Sequence, residues 1–193
     1  MIKAIETEYN GYRFRSRLEA RWAVFFDSVG AKYLYEPEGF VLQDGTYYLP
    51  DFYLPDIRTF VEVKGVMSKK DLHKIEEFAK DLESDQRIVI VGDIPGEWDA
   101  ADLWEYGYDK HGERFTAYFH NGVDFPYLPC ICPVCGKFGF EFDGRGARVC
   151  RDKCLPGSDK GYSYDHSKII EGLRAARKAR FEHGETPVLT GLR

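Results

Sequence analysis

The chain has 193 residues, a net charge of −5, 44% hydrophobic and 16% aromatic residues. That apolar content suits one packed domain with a small appendage and excludes a wholly disordered chain. No run of 18 apolar residues occurs, which excludes a membrane-spanning helix, and Met1 to Glu6 has no signal-peptide hydrophobic region, so a cytoplasmic protein is expected.

Ser16 to Val29 reads as a helix, with Ser16 as N-cap, Leu18, Trp22, Phe25, Phe26 and Val29 on one stripe, and Gly30 closing it. Lys32 to Glu36 reads as a short strand ending at Pro37, and Gly39 to Leu42 extends it. Asp44-Gly45 is a hairpin turn signal, and Tyr47 to Tyr53 is the expected return strand. Thr59 to Lys64 is the next strand. Ser68 caps a second helix to about Leu82, with Leu72, Ile75, Ala79 and Leu82 inward. Arg87 to Val91 is a buried strand bounded by Gly92. From Ile94 the chain turns rich in aromatics, Gly and Pro, and then enters a cysteine cluster. A last helix, Ser167 to Phe181, carries Arg174, Arg177, Lys178 and Arg180.

Two of these strands deliver acids. Glu62 and Lys64 stand two residues apart, so they share one face of their strand. Asp51 follows Pro50 in the extended run before it. A Pro-Asp, a connector and then Glu-x-Lys resembles the PD-(D/E)XK nuclease superfamily. The element order over roughly residues 12–92, helix, three strands, helix, strand, is also that of its restriction-endonuclease-like core. The resemblance implies an α/β fold with a mixed sheet. Ser16-Arg17-Leu18-Glu19-Ala20-Arg21-Trp22, Tyr48-Leu49-Pro50-Asp51-Phe52 and Val61-Glu62-Val63-Lys64-Gly65 also look like small nucleases of bacteriophages and bacteria.

The resemblance implies a metal-dependent DNA nuclease, an endonuclease in DNA processing, recombination or degradation. Asp51 and Glu62, with the Val63 carbonyl, would hold Mg²⁺ or Mn²⁺, which takes one or two protein carboxylates and keeps several waters. Lys64 would sit by the attacking water or the phosphate. Many relatives place a glutamate on the first helix, and Glu19 is that candidate. Ser16-x-x-Glu19 is equally a capping box, in which Glu19 would bond the Ser16 amide. Glu36 and Glu38 are alternative acids near the strand tips.

The five cysteines all fall between positions 130 and 154. Such clustering reads as metal binding rather than disulfides. Cys132-Pro133-Val134-Cys135-Gly136 has the form of a zinc-ribbon knuckle. Cys150 and Cys154 complete four ligands for a structural Zn²⁺, with one residue more than the usual spacing and with Cys130 and His166 in reserve. A hairpin-like pattern covers Phe138 to Gly144.

Positive charge is uneven. Residues 1–136 carry 15 Lys/Arg against 24 Asp/Glu, and residues 137–193 carry 12 against 8. Contact with phosphate needs local charge. The candidates are Arg15, Arg17, Lys69, Lys70, Arg145, Arg148 and Arg151, with Phe140 and Phe142 as stacking partners. The expected organisation is a nuclease core with its extension at 1–125, a zinc-ribbon-like module at 126–164 and a basic helix and tail at 165–193. DNA is the expected partner, and a homodimer would supply the two active sites of a double-strand cut. Two alternatives stay open: a non-catalytic zinc-containing nucleic-acid-binding module, and a nuclease acting on RNA.

Overall fold

The computed structural model describes residues 5–96, 115–122, 124–142, 149–150, 154 and 165–181. The described residues form an α/β structure around a mixed seven-stranded sheet. A hairpin, β1 (Thr7–Tyr9) and β2 (Tyr12–Phe14), precedes helix α1 (Arg17–Val29). Then come β3 (Leu34–Tyr35), β4 (Phe40–Val41), β5 (Tyr47–Tyr48), β6 (Phe52–Leu54) and β7 (Thr59–Val63). Helix α2 (Lys69–Lys80) leads to β8 (Arg87–Val91), and β9 (Thr116–Tyr118), β10 (Asp124–Ile131), β11 (Phe138–Phe142) and helix α3 (Ser167–Lys178) follow. The sheet order is β11-β10-β9-β8-β7-β6-β3. Only β7 and β8 run parallel, joined through α2, while every other neighbouring pair is antiparallel.

Local chemistry sets the helix ends. The Ser16 hydroxyl accepts the Glu19 amide at 3.2 Å, and Gly30 closes α1 at φ 73°, a left-handed conformation that glycine adopts without a Cβ clash. At α2, Ser68 and Asp71 form a reciprocal capping box. The last helix stops at Lys178, short of the expected Phe181, because Ala179 turns extended.

The alternation of β7 and β8 builds two cores. Val61, Val63, Val89 and Val91 face α1 and α3, whereas Phe60, Ile88 and Ile90 face α2. Such strands read as continuous apolar runs because both faces are covered.

The expected return strand, Tyr47 to Tyr53, is instead two strands. Tyr48 pairs with Phe40 in a separate two-stranded ribbon, and Phe52 pairs with Val61 in the main sheet. The break falls at Leu49-Pro50-Asp51. Proline has no N–H for a ladder bond, so the chain changes sheets there. Likewise, Gly39 to Leu42 does not extend β3. Glu36 adopts a left-handed φ of 44° before Pro37, and β4 pairs only with β5. The β1–β2 hairpin turns at Asn10-Gly11, both at positive φ.

Helices α1 and α3 meet closely at Gly172, where a Cβ would stand 3.1 Å from Phe25 and 3.2 Å from Val29. Gly172→Leu is therefore expected to destabilise by overpacking, by about 2 kcal/mol or a melting temperature about 4–8 °C lower. Thermal unfolding followed by circular dichroism checks this; an unchanged melting temperature would mean the two helices separate freely.

Candidate active site and cysteine centre

The site lies at the carboxyl end of β7, beside its parallel neighbour β8. Antiparallel pairing of β6 with β7 matches Phe52 to Val61. One step further along the same register sets Asp51 opposite Glu62. Asp51 is held at both ends: its carbonyl accepts the Glu36 amide at 2.8 Å, and its carboxylate accepts the Val63 amide at 2.7 Å. Asp51 is 9% exposed and Glu62 3%.

Glu62 spends its two oxygens differently. Its Oε1 pairs with Lys64 Nζ at 2.7 Å, and its Oε2 accepts the Tyr48 hydroxyl at 2.7 Å. The Lys64 amide donates to the Val91 carbonyl at 2.8 Å, which seats the residue against the end of β8. The Trp22 indole donates to the Gly92 carbonyl at 2.8 Å and ties α1 to the same strand end.

Glu19 is also buried, at 8% exposure. Its Oε1 accepts the Ser16 hydroxyl at 2.6 Å, and its Oε2 accepts the Tyr35 hydroxyl at 2.7 Å and the Arg15 amide at 3.1 Å. The expected capping box is thus altered. Glu19 reaches the amide of Arg15, one residue before the cap, and not that of Ser16.

The electrostatics follow from this crowding. Burial pushes the Asp51 carboxyl well above the usual carboxylate range, and the charges of Glu62 and then Glu19 add to it, against opposing help from Lys64 and the Val63 amide. For Lys64, burial disfavours the ammonium, but the adjacent Glu62 and Asp51 outweigh it and the pKa is raised. Tyr48 is raised well above its ordinary value by burial and then by Glu62, so its hydroxyl keeps its proton and donates. Asp51 and Glu62 thus both act on the Lys64 ammonium, while the charge of Glu19 reaches Asp51.

Of the expected phosphate contacts, Arg15 pairs with Glu36 at 2.6 Å beside Glu19, and Lys69 and Lys70 are exposed on the first turn of α2, just beyond Lys64. Arg17 is half-buried at the start of α1. Arg145, Arg148 and Arg151 lie outside the described residues. Phe140 is fully buried in the core, so it cannot stack on a base. Tyr48 and Tyr35 escaped the sequence reading. Tyr48 reaches Glu62 from one strand to another, 14 positions on, and Tyr35 reaches back 16 positions from β3 to α1, so no local pattern marks them.

The cysteine centre grows from the sheet itself. Phe138 to Phe142 is the return strand to β10, with the Cys132–Lys137 stretch as the turn, and the end of the expected hairpin pattern, Asp143-Gly144, lies outside the described residues. The Cys132 amide donates to the Lys137 carbonyl and the Gly136 amide to the Cys132 carbonyl, so the knuckle closes around Cys135. Sulfurs of Cys132, Cys135, Cys150 and Cys154 lie within 4.8 Å of one another, and Cys135 and Cys150 are 3.0 Å apart. Four thiolates about 2.3 Å from one metal ion would stand about 3.8 Å apart, so the set can hold one ion. A hydrogen bond from Cys150 pulls Cys135 down to about 7, whereas burial pushes Cys150 up. The two reserve ligands are engaged elsewhere. Cys130 is buried in the core outside the four, and His166 caps α3, its Nδ1 accepting the Lys168 amide at 3.1 Å.

No family model, curated protein or solved structure matches the chain. The site geometry therefore carries the functional argument. Among the described residues no helix is long and apolar enough to cross a membrane.

The raised Asp51 carboxyl has a consequence for stability. Its native pKa lies above its unfolded value, so the native state binds more protons between the two, and stability falls as pH rises through that window. Asp51→Asn keeps an oxygen for the Val63 amide and removes the buried charge. Without added divalent cation at pH 7–8 it should raise the melting temperature by a few degrees, about 2–4 °C per kcal/mol for a chain of this length, with the gain shrinking toward pH 4. Melting curves against pH test this, and a variant less stable than wild type at neutral pH would contradict it.

Proposed function

We propose that this chain is a metal-dependent DNA nuclease of the PD-(D/E)XK type, an endonuclease that hydrolyses phosphodiester bonds. The observation that carries the reading is the pair of buried carboxylates, Asp51 and Glu62, set opposite one another at a strand end with Lys64 on Glu62. Burying acids together costs stability, and groups held at such a cost cluster at functional sites. Asp51 and Glu62 would hold Mg²⁺ or Mn²⁺, with the Val63 carbonyl and Glu19 beside them. That cation would supply a water of lowered pKa and Lewis-acid stabilisation of the phosphoryl oxygens.

The chain's own residues supply the rest. In hydrolysis, water adds to phosphorus and gives a proton to solvent, and the bond to the leaving oxygen breaks as that oxygen takes a proton from solvent. Lys64, held beside Glu62, carries positive charge to where the phosphorane develops negative charge. Arg15 and the first turn of α2, with Lys69 and Lys70, provide cations for flanking phosphates, and the α2 N-terminus adds its dipole. We assign the four-cysteine centre a structural Zn²⁺, because four soft thiolates close the shell and leave no open position.

Asp51→Ala and Glu62→Ala are expected to lower plasmid nicking in Mg²⁺ by at least about a hundredfold, since removal of one acid leaves too few to hold the ion in place. Far-ultraviolet dichroism of both should match wild type. Nicking at the wild-type rate by either variant would refute the assignment.

Purified protein should carry one zinc per chain. Cys132→Ser should lose it, and the bound metal should contribute on the order of 10 kcal/mol to folding around the knuckle. Elemental analysis decides the point: zinc-free wild type prepared without chelator, or undiminished zinc in the variant, would count against these ligands.

A further inference from the structure

We propose that Tyr48 is a positioning residue that sets the cation selectivity of the acid site, by occupying one oxygen of Glu62 and leaving the other to face cations. The inference rests on the reading of Asp51 and Glu62 as ligands of a divalent ion.

Glu62 is asymmetric. Its Oε2 accepts the Tyr48 hydroxyl, and its Oε1 meets Lys64 Nζ, the only cationic group in contact with it among the described residues. The ammonium thus marks the oxygen available to positive charge. Tyr48 is poorly placed to release its own. The residue is 6% exposed, its ring packs 4.9 Å from Phe78 of α2, and its backbone pairs with Phe40 in the β4–β5 ribbon. Phe78 in turn is 1% exposed and packs against Phe60 on the same strand as Glu62. Hydroxyl, shelf and acid are therefore packed against one another.

The two common hard cations make different demands on a carboxylate. Mg²⁺ insists on near-octahedral coordination with single oxygens, whereas Ca²⁺ accepts both oxygens of one carboxylate in a looser shell. A hydrogen bond that holds Oε2 opposes two-oxygen binding and favours the smaller ion. Partners of this outer kind orient metal ligands and tune affinity by an order of magnitude or more. Tyr35 does not duplicate the role, because its hydroxyl holds Glu19.

The test uses the full-length protein with zinc loaded and no nucleic acid. Calorimetric titration gives Kd for Mg²⁺ and for Ca²⁺ in wild type, Tyr48→Phe, Phe78→Leu and Asp51→Ala. The ratio Kd(Ca²⁺)/Kd(Mg²⁺) is expected to fall about threefold to tenfold in Tyr48→Phe, the scale of one lost hydrogen bond. Phe78→Leu keeps the hydroxyl and loosens its shelf, so it should move the ratio the same way by less; it decides the question if Tyr48→Phe does not fold. A ratio unchanged in the folded variants, or equal weakening for both ions, overturns the proposal while Asp51-dependent binding stands. Mg²⁺ binding that Asp51→Ala leaves intact overturns the underlying reading and the proposal with it.

Discussion

The bond from the Val63 amide to the Asp51 carboxylate is the constraint on which the geometry of the acid site depends. It is a backbone–side-chain bond across two neighbouring strands, made where the ladder would otherwise continue. Pro50 cannot extend the ladder, so the chain leaves the β4–β5 ribbon and enters the sheet at this point. The aspartate fills the amide that the sheet leaves open. In doing so it takes up a buried position opposite Glu62 that an unassisted carboxylate would avoid.

Around this point the molecule trades stability for charge placement. The surrounding layers are well suited to bear it. On one side, Trp22, Phe25, Phe26, Phe52 and Phe138 make edge-on aromatic contacts between α1 and the sheet. On the other, Phe40, Tyr48, Phe60 and Phe78 pack in edge-on and tilted contacts beneath α2. Such rings bury much area and hold their orientation, so they can keep a costly acid group in one geometry. The tyrosines add a second use of the same property, since each brings a hydroxyl to an acid from within an aromatic layer.

The turn that carries Cys132 and Cys135 joins β10 to β11 at one edge of this frame. β10 pairs with β9 through Asp124–Pro126 and with β11 through Tyr127–Ile131, and its end is the metal-binding turn. Gly136, at φ 69°, brings that turn near Lys168 at the start of α3, which packs on α1. A metal held by the four sulfurs would thus brace one edge of the sheet and the first turn of a core helix.

How much of this was legible beforehand divides by range. Helices α1 and α2, with their serine caps, and strands β7 and β8 were readable because caps, stripes and apolar runs are local properties. The placement of Asp51, Glu62 and Lys64 on strand ends, and the gathering of the last four cysteines, followed from spacing and residue type alone. The split of Tyr47 to Tyr53 has a local signal in Pro50, and the first hairpin has one in Asn10-Gly11. The contacts of Tyr48 and Tyr35, the burial of Phe140 and the use of His166 as a cap were decided only by the tertiary structure. Each depends on which strands become neighbours, and pairing between distant segments is set by the packing of the whole sheet rather than by any short stretch of sequence.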